Sequence, residues 1–346
     1  MSSRAASRLV DLPLLVPHSQ FPIPNSPFPI LNFIPMPNHL LNLVDQPSDL
    51  VLELVRDASR LRADFRASGP SDALHGRTAA LFFEKPSLRT RVTFEVAMIQ
   101  TGGSAVILDP GSVSLGKRES VHDAAKSLSR WVDCIVARTF TQALVDDLAR
   151  HASVPVINAL TDEEHPCQAL AFGQMIYDRR GGGDKALKDV RVAFVGDGNN
   201  VANSLAALAG HCGMHFTLAC PQGYEQPAAL LQKVESLCKI SGGSYKQTYD
   251  PLEAVRDADV IYTDVWVSMG EEAQAAEKSK SFLPYQVNAA LMAAAPAGCV
   301  VTHCLPAHPG EEITQEVMDS PQYVAFDEAE NRLHAQKAVL LHLIRG

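Results

Sequence analysis

Short apolar runs alternate with longer amphipathic stretches along most of the chain. Runs near 79–83, 104–108, 133–137 and 154–157 are apolar over four or five positions and read as buried strands. Between them, stretches such as 120–131 and 142–151 carry apolar residues at helical spacing. A second alternating set follows, with predicted strands at 190–195, 215–219, 259–263 and 299–303, and 328–344 reads as one amphipathic helix. Continuously apolar strands are covered on both faces, and strand–helix alternation is the pattern of a parallel sheet between helices. Three glycines at 181–183, followed by Asp184, break the pattern between the two sets. The expected fold class is therefore α/β: two domains, each a mostly parallel sheet flanked by helices, with an active site in the interdomain cleft. The expected domains are 36–178, completed by the C-terminal helix at 328–346, and 179–327.

The first 35 residues carry Pro13, Pro17, Pro22, Pro24, Pro27, Pro29 and Pro35, a spacing that forbids a continuous helix. They read as a disordered tail, and Met36 as an alternative translation start. Asp11 and the prolines argue against a transit peptide. No apolar run is long enough to span a bilayer, so no membrane association is expected. The net charge of -9 gives no support to nucleic-acid binding, and any anion site must be local. Seven scattered cysteines without paired spacing indicate neither a disulfide framework nor a zinc site, and suit a cytoplasmic protein.

The candidate chemistry lies where predicted strands end. In open parallel sheets, ligands bind beyond those carboxyl ends. Ser87-Leu88-Arg89-Thr90-Arg91 follows the first strand and opens a helix-compatible stretch. Helix N-terminal N–H groups, hydroxyls and guanidinium forks together make a phosphate cradle. Arg138 follows the strand at 133–137. His165-Pro166-Cys167-Gln168 opens a helix with a side chain able to polarise a carbonyl oxygen and an amide able to accept from an NH2 group. Gly196-Asp197-Gly198-Asn199-Asn200 imitates a dinucleotide fingerprint. Val201 replaces its third glycine, however, and the next strand, Phe216 to Pro221, ends without the acidic residue a nicotinamide ribose requires. The loop reads instead as a tight turn presenting Asn200 to a small polar ligand. Asp264, with Ser268, Met269 and Gly270 after it, suits an amino-acid zwitterion. His303-Cys304-Leu305-Pro306 ends the last strand, and Cys304 there reads as a site residue. His308 and Glu311 lack a convincing metal geometry. No metal and no cofactor are assigned.

Together these motifs, with Glu328-Ala329-Glu330-Asn331-Arg332, resemble the aspartate/ornithine carbamoyltransferase family from about Met36 to the C-terminus. The first two motifs resemble those of all carbamoyltransferases, and the Ser268-Met269-Gly270 and His303 to Pro306 motifs those of ornithine-specific members. The resemblance implies carbamoyl phosphate and L-ornithine as substrates and L-citrulline and phosphate as products, in arginine biosynthesis or in arginine and citrulline breakdown. It makes 36–178 the carbamoyl phosphate-binding domain and 179–327 the ornithine-binding domain. It implies that Ser87, Leu88, Arg89, Thr90, Arg91, Ser114, Arg138, His165, Gln168, Cys304, Leu305 and Arg332 bind carbamoyl phosphate. Among these, Arg138, His165 and Cys304 serve the chemistry, Cys304 as a polar contact for the amine and not as a nucleophile. Asn200, Asp264, Ser268 and Met269 would bind ornithine. The family also implies a homotrimer or an assembly of trimers, with Ser114 in a loop at 111–116 that closes a neighbouring subunit's site. Relatives often carry Gln or His at that position, and often Arg where this chain has Pro309. The rival readings are a carbamoyltransferase acting on N-acylated ornithine, putrescine or lysine, a nicotinamide-dependent oxidoreductase, and a non-catalytic relative on the same fold.

Overall fold

In the computed structural model, residues 38–108, 113, 115–116, 119–267 and 275–345 are described. The tail at 1–35, Ser114, Ser268, Met269 and Gly270 lie outside them.

The first half contains α1 (Ser48–Ser68), β1 (Thr78–Phe83), α2 (Leu88–Gln100), β2 (Ser104–Leu108), α3 (Val121–Trp131), β3 (Cys134–Arg138), α4 (Gln142–His151), β4 (Val156–Leu160) and α5 (Pro166–Arg179). The second contains β5 (Arg191–Val195), α6 (Asn200–Cys212), β6 (His215–Ala219), α7 (Ala228–Ser241), β7 (Ser244–Thr248), α8 (Pro251–Val255), β8 (Val260–Thr263), α9 (Ala275–Phe282), α10 (Ala289–Ala294), β9 (Val300–His303), α11 (Gln315–Met318) and α12 (Ala325–Arg345). Gly181, Gly182 and Gly183 take positive φ directly after α5, which ends the helix where the sequence pattern breaks.

The first sheet has the order β2-β1-β3-β4 and the second β7-β6-β5-β8-β9, and every pairing is parallel. The central strands β1, β3 and β5 are buried almost throughout, as strands covered on both faces must be. In each sheet the chain builds outward on one side and then crosses to the other. The reversal falls between β1 and β3 in the first sheet and between β5 and β8 in the second. Such switch points open a crevice beyond the strand ends. α12 packs on α1, α2 and α5, so the last helix returns to the first sheet's side. Tyr262 of β8 stacks on Phe194 of β5 (5.6 Å between centroids) and meets Phe172 of α5 edge-on (5.4 Å), joining the second sheet to α5.

Three expectations need correction. The fourth strand runs over Val156–Leu160, not 154–157. Its polar member Asn158 is fully buried, and donates to the Leu41 carbonyl (2.8 Å) and Gln142 Oε1 (3.2 Å). β7 was not expected, because an edge strand reading Ser-Tyr-Lys-Gln-Thr is exposed at every second position and carries no apolar run. α1 is a further unexpected element, although Val51, Leu54, Val55 and Ala58 form a buried stripe at helical spacing.

Candidate active site

Both switch points open onto one cavity of about 870 Å³. From the first sheet it is lined by Lys85 to Thr90 after β1, Arg138 and Phe140 after β3, and Leu160, Asp162, His165 and Gln168 at the β4–α5 junction. From the second it is lined by Asp197 to Val201 after β5, Asp264, Val265 and Val267 after β8, and Cys304 to Pro306 after β9. Arg332 of α12 completes the wall. Of the residues singled out from the sequence, Ser87, Leu88, Arg89, Thr90, Arg138, His165, Gln168, Asn200, Asp264, Cys304, Leu305 and Arg332 therefore share one space. Arg91 does not: it is exposed and outside the cavity wall.

The phosphate-cradle motif folds as the spacing requires. Ser87 is the N-cap of α2, in an extended conformation, and its Oγ accepts from the Thr90 N–H (3.2 Å). The cap leaves the N–H groups of the first turn pointing out of the helix start, with its positive dipole end. No acidic residue occupies that turn to offset it.

Three guanidinium groups face the cavity. Arg138 and Arg332 are almost fully buried, and Arg89 is partly so. Burial, then the neighbouring Arg332 and Arg89, lowers Arg138 to about 10. Burial also lowers Arg89 and Arg332. The Nε atoms of Arg138 and Arg332 are buried without a hydrogen-bond partner among the described residues. Desolvated cations crowded together are costly unless an anion completes them. His165 is the N-cap residue of α5, followed by Pro166 at the first helical position. Its backbone N–H donates to Ser204 Oγ (2.8 Å). Burial and the three arginines hold its imidazole well below the ordinary histidine range, so the ring is neutral at pH 7. Its Nδ1 is buried without a hydrogen-bond partner.

Gln168 and Arg332 are linked behind the cavity. Arg332 donates from one terminal nitrogen to Gln168 Oε1 and from the other to Thr90 Oγ1 (2.9 Å). Across the cavity, Cys304 Sγ donates to Asp264 Oδ1 (2.7 Å), and Asn199 Nδ2 donates to Asp264 Oδ2 (2.8 Å). Burial and the Asp264 carboxylate push the Cys304 thiol well above its ordinary value, so it is protonated and not nucleophilic. Leu305 takes φ +60 and donates its N–H to His303 Nδ1 (2.7 Å). Asn200 Nδ2 donates to the Thr161 carbonyl (2.6 Å), tying α6 to the β4–α5 loop.

Asp264, His303 and Cys304 place three potential metal-ligand atoms within 4.8 Å of one another. Both Asp264 oxygens, Cys304 Sγ and His303 Nδ1 already serve the protein contacts just described. His308, Glu311 and Glu312 form a second such group. The sequence reading missed four parts of this site. Asn199 holds Asp264. Lys85 pairs with Asp162 and lies over the Phe140 ring (4.5 Å). Glu328 lies directly behind Gln168. The signal for Lys85 and Asp162 was their place in loops that leave strand ends. Glu328 opens the 328–332 motif, but an acid on a helix looks solvated and the motif gave it no role.

Residues 38–177 match the family model for the carbamoyl-phosphate-binding domain of aspartate/ornithine carbamoyltransferases, and residues 188–343 match the model for their aspartate/ornithine-binding domain. The chain belongs to the aspartate/ornithine carbamoyltransferase family. Among its relatives in that family, an ornithine carbamoyltransferase of Pyrococcus abyssi is 48% identical over 307 residues, covering 89% of this chain and 96% of the relative. One from Chlorobaculum tepidum is 47% identical over 295 residues, covering 85% and 83%. The solved ornithine carbamoyltransferase of Pyrococcus furiosus superposes with a TM-score of 0.86 at 46% identity, covering 89% of this chain and 97% of that one. That of Thermus thermophilus superposes at 0.77 and 43% identity, covering 88% and 98%. The family is thus the one that the motifs resemble.

Proposed function

We propose that this chain transfers the carbamoyl group of carbamoyl phosphate to the δ-amine of L-ornithine, giving L-citrulline and phosphate. The observation that carries this is the opposition, across one cavity, of three crowded guanidinium groups at the α2 N-terminus and an Asp264–Cys304 pair. One wall suits a phosphorylated, carbonyl-bearing anion, and the other suits an amine.

In this reading the Ser87 and Thr90 hydroxyls, the Leu88 N–H and Arg89 grip the phosphate. Thr90, Arg138 and His165 surround the carbonyl oxygen. Gln168 Oε1 and the Cys304–Leu305 backbone hold the carbamoyl nitrogen, and Arg332 bridges phosphate and Gln168. Asn200 and Asp264 receive ornithine, together with Ser268 and Met269. The neutral δ-amine attacks the carbonyl carbon and forms the new C–N bond, and charge collects on the carbonyl oxygen. A neutral His165 ring and an Arg138 with unused donors stabilise that oxyanion without solvent reorganisation. The C–O bond to phosphate then breaks. The departing phosphate takes the proton released by the amine, so no covalent enzyme intermediate is required. Holding both substrates in one cavity supplies much of the remaining acceleration.

The working domains in this reading are 36–178 with 328–346, supported by the packing of α12 on α1, α2 and α5, and 179–327. Self-association, which the family resemblance makes a homotrimer or an assembly of trimers, is supported by Val92 and Ile99 on the exposed face of α2 and Val106 on the edge strand β2. Among the described residues no helix is long and apolar enough to cross a membrane, and the proposed location is the cytoplasm. Initial rates of carbamoylation of each amine test the substrate. L-ornithine is expected to exceed putrescine, lysine and N-acetylornithine by at least a hundredfold in kcat/KM. Equal or faster carbamoylation of another of these amines would transfer the proposal to that substrate.

A further inference from the structure

Glu328 sits in the first turn of α12, fully buried, and is not part of the cavity wall. Donors from three other elements converge on its carboxyl group. Gln168 Nε2 of α5 and the Tyr262 hydroxyl of β8 (2.7 Å) donate to Oε1, and the Thr302 hydroxyl of β9 (2.7 Å) donates to Oε2. Arg332, one helical turn further on, donates to the other end of the Gln168 amide. A guanidinium can only donate and an ionised carboxylate can only accept, so with Glu328 ionised the amide has one satisfiable orientation. We infer that Glu328 is a positioning residue: it fixes which end of the Gln168 amide meets the substrate, and thereby selects carbamoyl phosphate over acyl phosphates that lack an amine.

The inference rests on the reading in which Gln168 Oε1 accepts from the carbamoyl NH2 group. With Nε2 committed to Glu328, the cavity sees the oxygen. A reversed amide would set an N–H donor against the donors of the carbamoyl group, leaving both unpaired in a dry site. Loss of such a pair costs on the order of tenfold in affinity or more. Arg332 also favours the observed orientation, but it lies in the cavity wall, where its guanidinium is open to the phosphate oxygens. Glu328 is engaged by protein donors alone and stands outside the wall. Its vote on the amide therefore persists when Arg332 turns toward an anion.

Acetyl phosphate, with a methyl group in place of the amine, provides the test. The KM for carbamoyl phosphate and the competitive inhibition constant for acetyl phosphate are measured on the full-length protein and its variants. Glu328→Gln offers Gln168 a donor as well as an acceptor. It is expected to raise the KM for carbamoyl phosphate at least fivefold while leaving acetyl phosphate within twofold. Glu328→Met fills the same volume without either group and carries the same expectation, which covers the case in which the first variant does not fold. A carbamoyl-to-acetyl ratio equal to that of the wild type, or parallel weakening of both ligands, overturns the inference. Gln168→Ala separates the two layers. If it keeps the wild-type ratio, the role given to Gln168 is wrong. If it loses the ratio while the Glu328 variants keep it, only the role given to Glu328 falls.

Discussion

At Arg138 a buried guanidinium, two like-charged neighbours and an Nε without a partner among the described residues coincide in the cavity wall. Each is a cost to folding that an anion would relieve, and stored costs of this kind concentrate at sites built for a ligand. Two opposite effects are therefore expected from Arg138→Met. Turnover should fall by on the order of a hundredfold or more, as loss of an oxyanion donor does. The ligand-free protein should melt no lower than wild type, and by up to a few degrees higher, because two arginines repel less than three. Steady-state citrulline assays and thermal unfolding of the same preparation check both. A variant that is inactive and markedly less stable would mean that Arg138 is a structural residue. His165 belongs to the same balance. Burial and the three arginines hold its pKa well below the ordinary 6.5, so activity lost as pH falls through 6.5 is expected to come from another group, and that arm of the profile should persist in a weakened His165→Asn variant.

At the scale of an element, the β5–α6 turn explains why a dinucleotide fingerprint half appears. A Cβ on Gly198 would lie 2.6 Å from the Tyr224 carbonyl oxygen and 2.8 Å from the Gln226 nitrogen. The close backbone approach that glycine permits is made by the chain's own 224–226 loop, and Asn199 caps the helix through the Val201 and Ala202 N–H groups. Gly198→Ala must push that loop away. It is expected to destabilise by about 1–3 kcal/mol, as overpacking does, with a midpoint shift readable in a urea titration. No such shift would show that the loop yields freely. The same turn indicates what sequence can reveal. Eight strands and the cavity-lining loops were legible because apolar runs and strand-end motifs are local, although β2, read as buried, is an edge strand with no buried residue. The edge strand β7 was not, since half of it faces water, and Asn158 disguised the end of β4 because its side chain finds partners at 41 and 142. The role of Glu328 was hidden because Gln168, Tyr262 and Thr302 reach it only across the assembled fold.

Over the whole molecule, two buried carboxyls lie where the halves meet. Glu164 Oε2 accepts from the Leu43 N–H (2.9 Å) and from Ser204 Oγ of α6 (2.9 Å), and Glu328 joins α5 to β8 and β9. Burial raises both to about 7, against an ordinary value of 4.5. A carboxyl with a raised folded pKa binds its proton more tightly in the native state. Its contribution to stability is full below 4.5 and is lost as pH rises through 7. Histidines with lowered pKa act in the opposite sense. His39, His165, His211 and His334, the last at about 4, add stability above 6.5 and lose it as pH falls toward their folded values. The two sets oppose each other from 4.5 to beyond 7, because an unfolded histidine is still half protonated at 6.5. Unfolding free energy should therefore level off near pH 7 and change little from there to pH 8. In the Glu164→Gln, Glu328→Gln double variant the histidines act unopposed, so its unfolding free energy should go on rising between pH 5.5 and 8, as urea midpoints at pH 5.5, 6.5 and 8 will register. A double variant whose midpoints follow the wild-type pH course would place the balance outside these two carboxyls.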